Sequence, residues 1–162
     1  EIAKHCNVDA RSVHGYILGE HGDSEFPVWS KATVGGVNIE NHCMLCDKKQ
    51  NCDHKAILNE ILSNVKNSAY KIIEKKGETS YGIGLALTRI TEAILLNENS
   101  VLPVSVLTNN LYNVNDVYLS LPAVVNKEGI RQVQQIEFNE KEQQSFVNSA
   151  TVLKDLLKEI GI

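Results

Sequence analysis

Gly19-Glu20-His21-Gly22-Asp23-Ser24-Glu25 sets a histidine between glycines at the end of the apolar run Tyr16-Ile17-Leu18. Histidine is the one side chain whose ordinary pKa lies near neutrality, so it can give or take a proton while a carbonyl is reduced or an alcohol oxidised. Gly19 and Gly22 supply the room that a turn beneath a substrate or cofactor needs. The competing reading is a histidine tucked into a turn for stability alone. The neighbouring acids Glu20 and Asp23 offer a carboxylate that could orient the ring.

A second group of reactive side chains, His42, Cys43, Cys46, Cys52 and His54, crowds thiols and imidazoles into thirteen residues. Thiolate and imidazole can converge on tetrahedral zinc. Zinc modules usually bring two ligand pairs separated by a folded spacer, so no metal site is expected, and a reducing compartment disfavours disulfides. Cys6 stands apart and reads as an ordinary buried or half-buried thiol. A third feature is Thr79 followed by Gly82 and Gly84 inside a helical pattern. Each glycine lowers helix propensity by up to about 1 kcal/mol, which calls for a packing or ligand reason. Taken alone, Thr79 reads as a helix cap and Ile83 as core.

The elements that must carry these groups form an α+β pattern, with antiparallel strands or a meander packed against long helices. Glu1 to Val8 reads as the tail of a helix already under way, so the chain is expected to begin inside an element. Val13–Leu18 reads as one strand leading to His21, and Trp29–Ile39 as a strand or hairpin broken at Gly35-Gly36. Apolar residues recur at three- and four-residue steps from Asp53 to Lys76, predicting one long helix capped by Asp53 and ended at Gly77. Thr79 opens a second helix to Leu96, whose broad apolar face includes Ile83, Leu85, Leu87 and Ile90. Val101–Leu107, Val117–Val125 and Ile130–Phe138 read as strands, with Pro122 suggesting a bulge or an edge. Asn139 and Glu142 have the spacing of a capping box for a last helix bearing Phe146, Ala150 and Leu153.

With 162 residues, 43% of them hydrophobic, the chain can bury a core without disulfides or metal. Its net charge of -4 and dispersed lysines and arginines leave no cationic face for a phosphate backbone, so no nucleic-acid partner is expected. Apolar runs are too short to span a bilayer and no signal-peptide pattern opens the chain, so a cytoplasmic protein without a membrane partner is expected. No Gly-x-Gly-x-x-Gly follows a strand, so the dinucleotide-binding signature is missing.

As a literal string, Gly-Glu-His-Gly-Asp-Ser resembles the catalytic segment of the bacterial-type L-lactate dehydrogenases, in the lactate/malate dehydrogenase family. The likeness continues through Glu25-Phe26-Pro27-Val28-Trp29-Ser30, Lys76-Gly77-Glu78-Thr79-Ser80-Tyr81-Gly82-Ile83-Gly84 and Ile94 to Ser105, leaving Glu40 to Asp53 as the clear departure. The resemblance implies that His21 is the catalytic acid/base, that Thr79 lines the substrate pocket, and that Ile83 presses on the nicotinamide of NAD. It implies pyruvate and L-lactate as substrates and a homo-oligomer, commonly a tetramer. It also implies that residues 1–162 are a single substrate-side domain whose Rossmann domain is missing from this chain. The family's orienting aspartate and carboxylate-binding arginine belong to an Asp-x-x-Arg motif upstream of this segment, so the resemblance implies that Glu20 and Asp23 are turn-forming or buried structural acids and not the partner of His21. The isolated domain is therefore expected to be inactive.

His14 matches a position where many bacterial relatives bind fructose 1,6-bisphosphate, and the companion arginine again belongs upstream. Seven residues separate His14 from His21, an odd step that would put them on opposite faces of one strand. Two alternatives stay open: a malate dehydrogenase or related 2-hydroxy acid dehydrogenase domain, and a non-catalytic zinc-binding or interaction module using Cys43, Cys46 and Cys52. A third possibility is an assembly surface.

Overall fold

The computed structural model describes residues 1–40 and 53–161. A short helix, α1 (Ile2–Cys6), opens the chain and ends at Asn7 in the left-handed conformation. The run from Val13 to Leu18 is two strands rather than the single strand the sequence predicts. β1 (Val13–His14) pairs with β4 (Thr33–Val34), whereas β2 (Ile17–Leu18) pairs with β3 (Phe26–Pro27). The chain changes partners at Gly15-Tyr16, so His14 and His21 do not share a strand and the parity argument lapses. Trp29–Lys31 is a 3-10 turn, and only then does the expected hairpin form, with β5 (Val37–Asn38) folding back on β4 across Gly35-Gly36.

The long helix predicted over Asp53–Lys76 is interrupted at Asn67. α2 (His54–Lys66) is capped by Asp53, whose side chain accepts from the Ala56 amide at 3.1 Å, and α3 (Ser68–Lys76) closes at Gly77. The break is chemical: the Ser68 hydroxyl donates to the Val65 carbonyl at 2.6 Å, drawing off a carbonyl that would continue the ladder, while the Asn67 side-chain amide adds a bond of 2.8 Å to the Ser63 carbonyl beside the backbone bond of 3.0 Å that already ends there. α2 buries Leu58 and Ile61, whereas no α3 residue is buried.

α4 (Tyr81–Leu95) starts later than predicted, and Thr79 is not its cap. Ser80 holds that position, yet its hydroxyl donates to Glu78 at 3.0 Å instead of capping the backbone. Of the apolar face expected on this helix, Ala93 alone is buried, and Ile83, Leu85 and Leu87 are exposed.

β6 (Ser100–Leu107), β7 (Tyr118–Asn126) and β8 (Gly129–Val133) form the antiparallel meander, in the order β6-β7-β8. Pro122 lies on the central strand, opposite Pro103, rather than at an edge, and a bulge falls nearby between Val124 and Val125. β8 stops short of the predicted Phe138. Tyr112 anchors the segment beyond it, its hydroxyl donating to the Ile136 carbonyl at 2.8 Å and accepting from the Phe138 amide at 2.9 Å.

α5 (Glu140–Glu159) carries the capping box expected at Asn139 and Glu142. Its Phe146 and Ala150 pack with Leu18, Phe26 and Val28 and with Leu119, Leu121 and Ala123 of β7, forming the main core. A smaller core gathers Cys6, Ala32, Val34 and Ile39. The result is the α+β arrangement the sequence predicts, antiparallel sheets backed by helices. Among the described residues, no helix is long and apolar enough to cross a membrane.

Candidate active site

The His21 turn leaves the core between Leu18 and Phe26, both buried. Gly19 exchanges two backbone hydrogen bonds with Ser120 of β7, at 3.3 and 3.0 Å, which ties the start of the turn to the central strand. The Glu20 amide donates to the Ser149 hydroxyl of α5 at 2.6 Å. The Glu20 carboxylate folds back over the turn, accepting from the Ser24 amide at 3.2 Å and the Ser24 hydroxyl at 2.6 Å. Gly19 is required by this packing, and Gly22 leaves the space that the folded-back Glu20 carboxylate occupies. Gly19 has φ +97°, and a Cβ there would stand 2.6 Å from the Ser149 hydroxyl oxygen; a Cβ on Gly22 would stand 2.0 Å from a Glu20 carboxylate oxygen. On the other side, Lys66 donates to the Asp23 carbonyl at 2.7 Å and Tyr70 to the Asp23 carboxylate at 3.4 Å. Glu20 and Asp23 thus shape the turn, and α5, β7, α2 and α3 all hold it.

The His21 ring itself is 100% exposed. Its Nδ1 lies 4.0 Å from the Glu25 carboxylate, which is only 15% exposed. That separation is an ion-pair distance for a protonated ring and too long for a hydrogen bond. A nearly buried acid therefore faces a fully solvated base, a pairing sequence reasoning missed because attention fell on the closer acids Glu20 and Asp23.

His21, Thr79 and Ile83 line one open cavity of about 680 Å³. Its other walls come from one side of α3 along its whole length, from Ser68 to Lys76, the Glu78–Ser80 link and the first turn of α4. Ile83 is 57% exposed, so its reading as core is overturned. Gly82 and Gly84 have no packing reason among the described residues, since a Cβ on either would meet nothing within 4 Å. They leave a bare, smooth strip beside Ile83. Lys76, the one cation lining the cavity among the described residues, stands over the Tyr81 ring, 5.6 Å from its centroid.

His14 is exposed on β1 and does not line this cavity. Arg11, three residues before it, is held by Asp9 through two hydrogen bonds of 3.0 Å. That pairing lowers the Asp9 pKa and raises that of Arg11. Cys43, Cys46, Cys52 and His42 lie outside the described residues. His54 is described, and its ring Nε2 contacts the Ile39 carbonyl. Among the described residues, no group of three or more His, Cys, Asp or Glu side chains is placed to hold a metal ion.

Sequence reasoning also passed over Ser149. It is fully buried and touches the histidine turn. The available signal was a serine three residues after Phe146 and next to Ala150, a polar side chain set into the apolar stripe of the last helix.

Residues 1–161 match the model of the lactate/malate dehydrogenase α/β C-terminal domain. L-lactate dehydrogenase 1 of Listeria innocua is 48% identical over 156 residues, covering 96% of this chain and 48% of the relative. An L-lactate dehydrogenase of Thermoanaerobacter sp. is 46% identical over 161 residues, covering 99% of this chain and 51% of the relative. Among solved structures, a lactate dehydrogenase from a Medee basin deep-sea metagenome library superposes with a TM-score of 0.89 at 44% identity, over 99% of this chain and 50% of that one. The minor L-lactate dehydrogenase of Enterococcus mundtii gives a TM-score of 0.87 at 41% identity, over 99% and 50%. The chain spans about half the length of the curated relatives it matches.

Proposed function

The chain belongs to the lactate/malate dehydrogenase family, as the match over residues 1–161 shows, and from that premise we propose that it is the substrate-side half of an NAD-dependent L-lactate dehydrogenase. The single observation that carries this reading is the meeting of His21, Thr79 and Ile83 on one open cavity. The names of the relatives support lactate over malate.

His21 holds the proton that the substrate oxygen gains in pyruvate reduction and takes it back in lactate oxidation. Its turn is rigidly built while its ring is bare, which suits a group that must meet a substrate arriving from outside this chain. The Thr79 hydroxyl adds a polar wall near the substrate. Ile83 and the bare strip at Gly82 and Gly84 suit the flat face of a nicotinamide, with no Cβ to hold it off. When bound, NADH supplies the hydride. A carboxylate substrate calls for a forked arginine clamp, and the described lining has only Lys76, already over Tyr81. In this reading the clamp, the His21-orienting acid and the Rossmann fold come from the rest of the protein, which acts as a cytoplasmic homo-oligomer. His14 serves fructose 1,6-bisphosphate there only with cationic help from outside the described residues, since Arg11 is paired with Asp9.

The test is NADH oxidation by the full-length protein with pyruvate and, separately, oxaloacetate. Pyruvate is expected to be preferred, and His21→Asn to lower kcat/KM by about 100- to 10,000-fold. Preference for oxaloacetate would move the assignment to malate dehydrogenase. Near-normal turnover by His21→Asn would remove the histidine from the chemistry.

A further inference from the structure

We propose that Ser149, on α5, is a positioning residue for His21, acting through a closed ring of hydrogen bonds that fixes the turn; the inference rests on the reading of His21 as acid/base. The ring's direction follows from counting protons. A carboxylate only accepts, so the Ser24 hydroxyl, 2.6 Å from Glu20 Oε2, spends its single proton there. In the 3.2 Å contact between the Ser24 and Ser149 hydroxyls, Ser149 must therefore donate. Ser149 at the same time accepts from the Glu20 amide at 2.6 Å. The circuit runs from the Glu20 N–H to Ser149, from Ser149 to Ser24, and from Ser24 back to the Glu20 carboxylate.

Three features make this more than a packing contact. Ser149 is fully buried, so neither of its bonds can be replaced by bulk water. Each hydroxyl in the ring both gives and receives, and such chains polarise one another. The ring also encloses the residue immediately before His21, so the backbone that aims the imidazole is set by a helix 129 residues away in sequence. Gly19 completes the clamp, because its lack of a Cβ lets the Ser149 oxygen sit where a side chain would begin. Among the described residues the exposed ring has only the Glu25 carboxylate, 4.0 Å away, beside it, and the rigidity lies one peptide upstream.

The experiment compares Ser149→Ala, Ser149→Cys and Ser24→Ala in the full-length protein by steady-state kinetics and by amide hydrogen exchange at Glu20, His21 and Ser24. Ser149→Ala is expected to lower kcat by about 10- to 100-fold, the scale of a misplaced catalytic group, with KM for pyruvate changed by about twofold or less. Ser149→Cys keeps nearly the same volume with a weak acceptor and donor, and is expected to behave like Ser149→Ala. Ser24→Ala leaves the Ser149 bond to Glu20 and is expected to lower kcat by less. All three are expected to speed exchange in the turn while amides of β7 exchange as in the wild type. Wild-type kcat and wild-type exchange in Ser149→Cys would overturn the proposal. If Ser149→Ala does not fold, Ser24→Ala decides, with unchanged exchange and kcat counting against the ring. If the wild-type protein reduces neither pyruvate nor oxaloacetate, the functional reading fails, and the exchange data alone decide whether the ring holds the turn.

Discussion

The two walls of the cavity are built in opposite ways. The histidine wall is anchored in the main core: Leu18 and Phe26 are buried on either side of the turn, Gly19 is paired with β7, and α5 supplies both the fully buried Phe146 and the Ser149 hydroxyl. The facing wall, α3 and the first turns of α4, has almost no interior of its own. Leu85 is 74% exposed, and among the described residues nothing lies near the Cβ position of Gly82 or Gly84. One wall is complete within this chain. The other presents an apolar helix face to whatever lies beyond it, as expected of a chain spanning half of its relatives. Under the proposed function, the proton-carrying wall needs fixed geometry and is built locally, whereas the wall toward the second substrate is shared with the rest of the protein.

Phe146→Ala should break this contrast most forcefully. Removing a fully buried ring that packs edge-on or tilted against Tyr112 and Phe138 is expected to cost about 3–5 kcal/mol in chemical unfolding and to loosen the His21 turn with the core. Leu85→Gln sharpens the other side. On the 162-residue chain it is expected to change stability by less than about 0.5 kcal/mol, since both residues are good helix formers and the site is exposed. In the full-length protein a larger loss is expected if the face is covered there, and equal losses in both would deny that it has a partner.

The smallest effect belongs to Glu98. Its carboxyl is held below its ordinary pKa by the Ser100 hydroxyl and by Arg89, at 2.6 Å each. A lowered folded-state pKa contributes stability that is present above the unfolded value and is lost as pH falls through the folded one. Acid unfolding followed by circular dichroism is expected to show a slightly shallower acid limb in Glu98→Gln, with a slight loss of stability at neutral pH, where the contribution is present, and none at pH below the folded-state value. The effect is slight because the pair is solvated.

Legibility followed the same division. The capping box at Asn139 and Glu142, the Asp53 cap, the hairpin into β8 and the antiparallel meander are local patterns, and the sequence shows them because the residues that decide them are neighbours. The split of Val13–Leu18 was hidden because the choice of partner, β4 for one half and β3 for the other, is made by residues well downstream. The break at Asn67 was masked by an apolar period that runs through it, while the Ser68 hydroxyl, taking the Val65 carbonyl, carries the interruption. Ile83 misled when read alone because periodicity reports which residues need cover and not whether this chain provides it. The glycine-flanked turn of His21 was legible, and the structure leaves its ring exposed at the end of that turn. Ser149 and Glu25, which frame it, were not, because their meaning depends on distance in space.

The proposed role of His21, carrying the proton between water and the substrate oxygen, is measured most directly by kcat/KM against pH in both directions on the full-length protein. Pyruvate reduction is expected to be flat in acid and to fall as the ring loses its proton, while lactate oxidation rises over the same range and levels off. Both limbs should vanish together in His21→Asn. Reduction and oxidation that change with the same sign through neutrality, or limbs that survive the substitution, would contradict it.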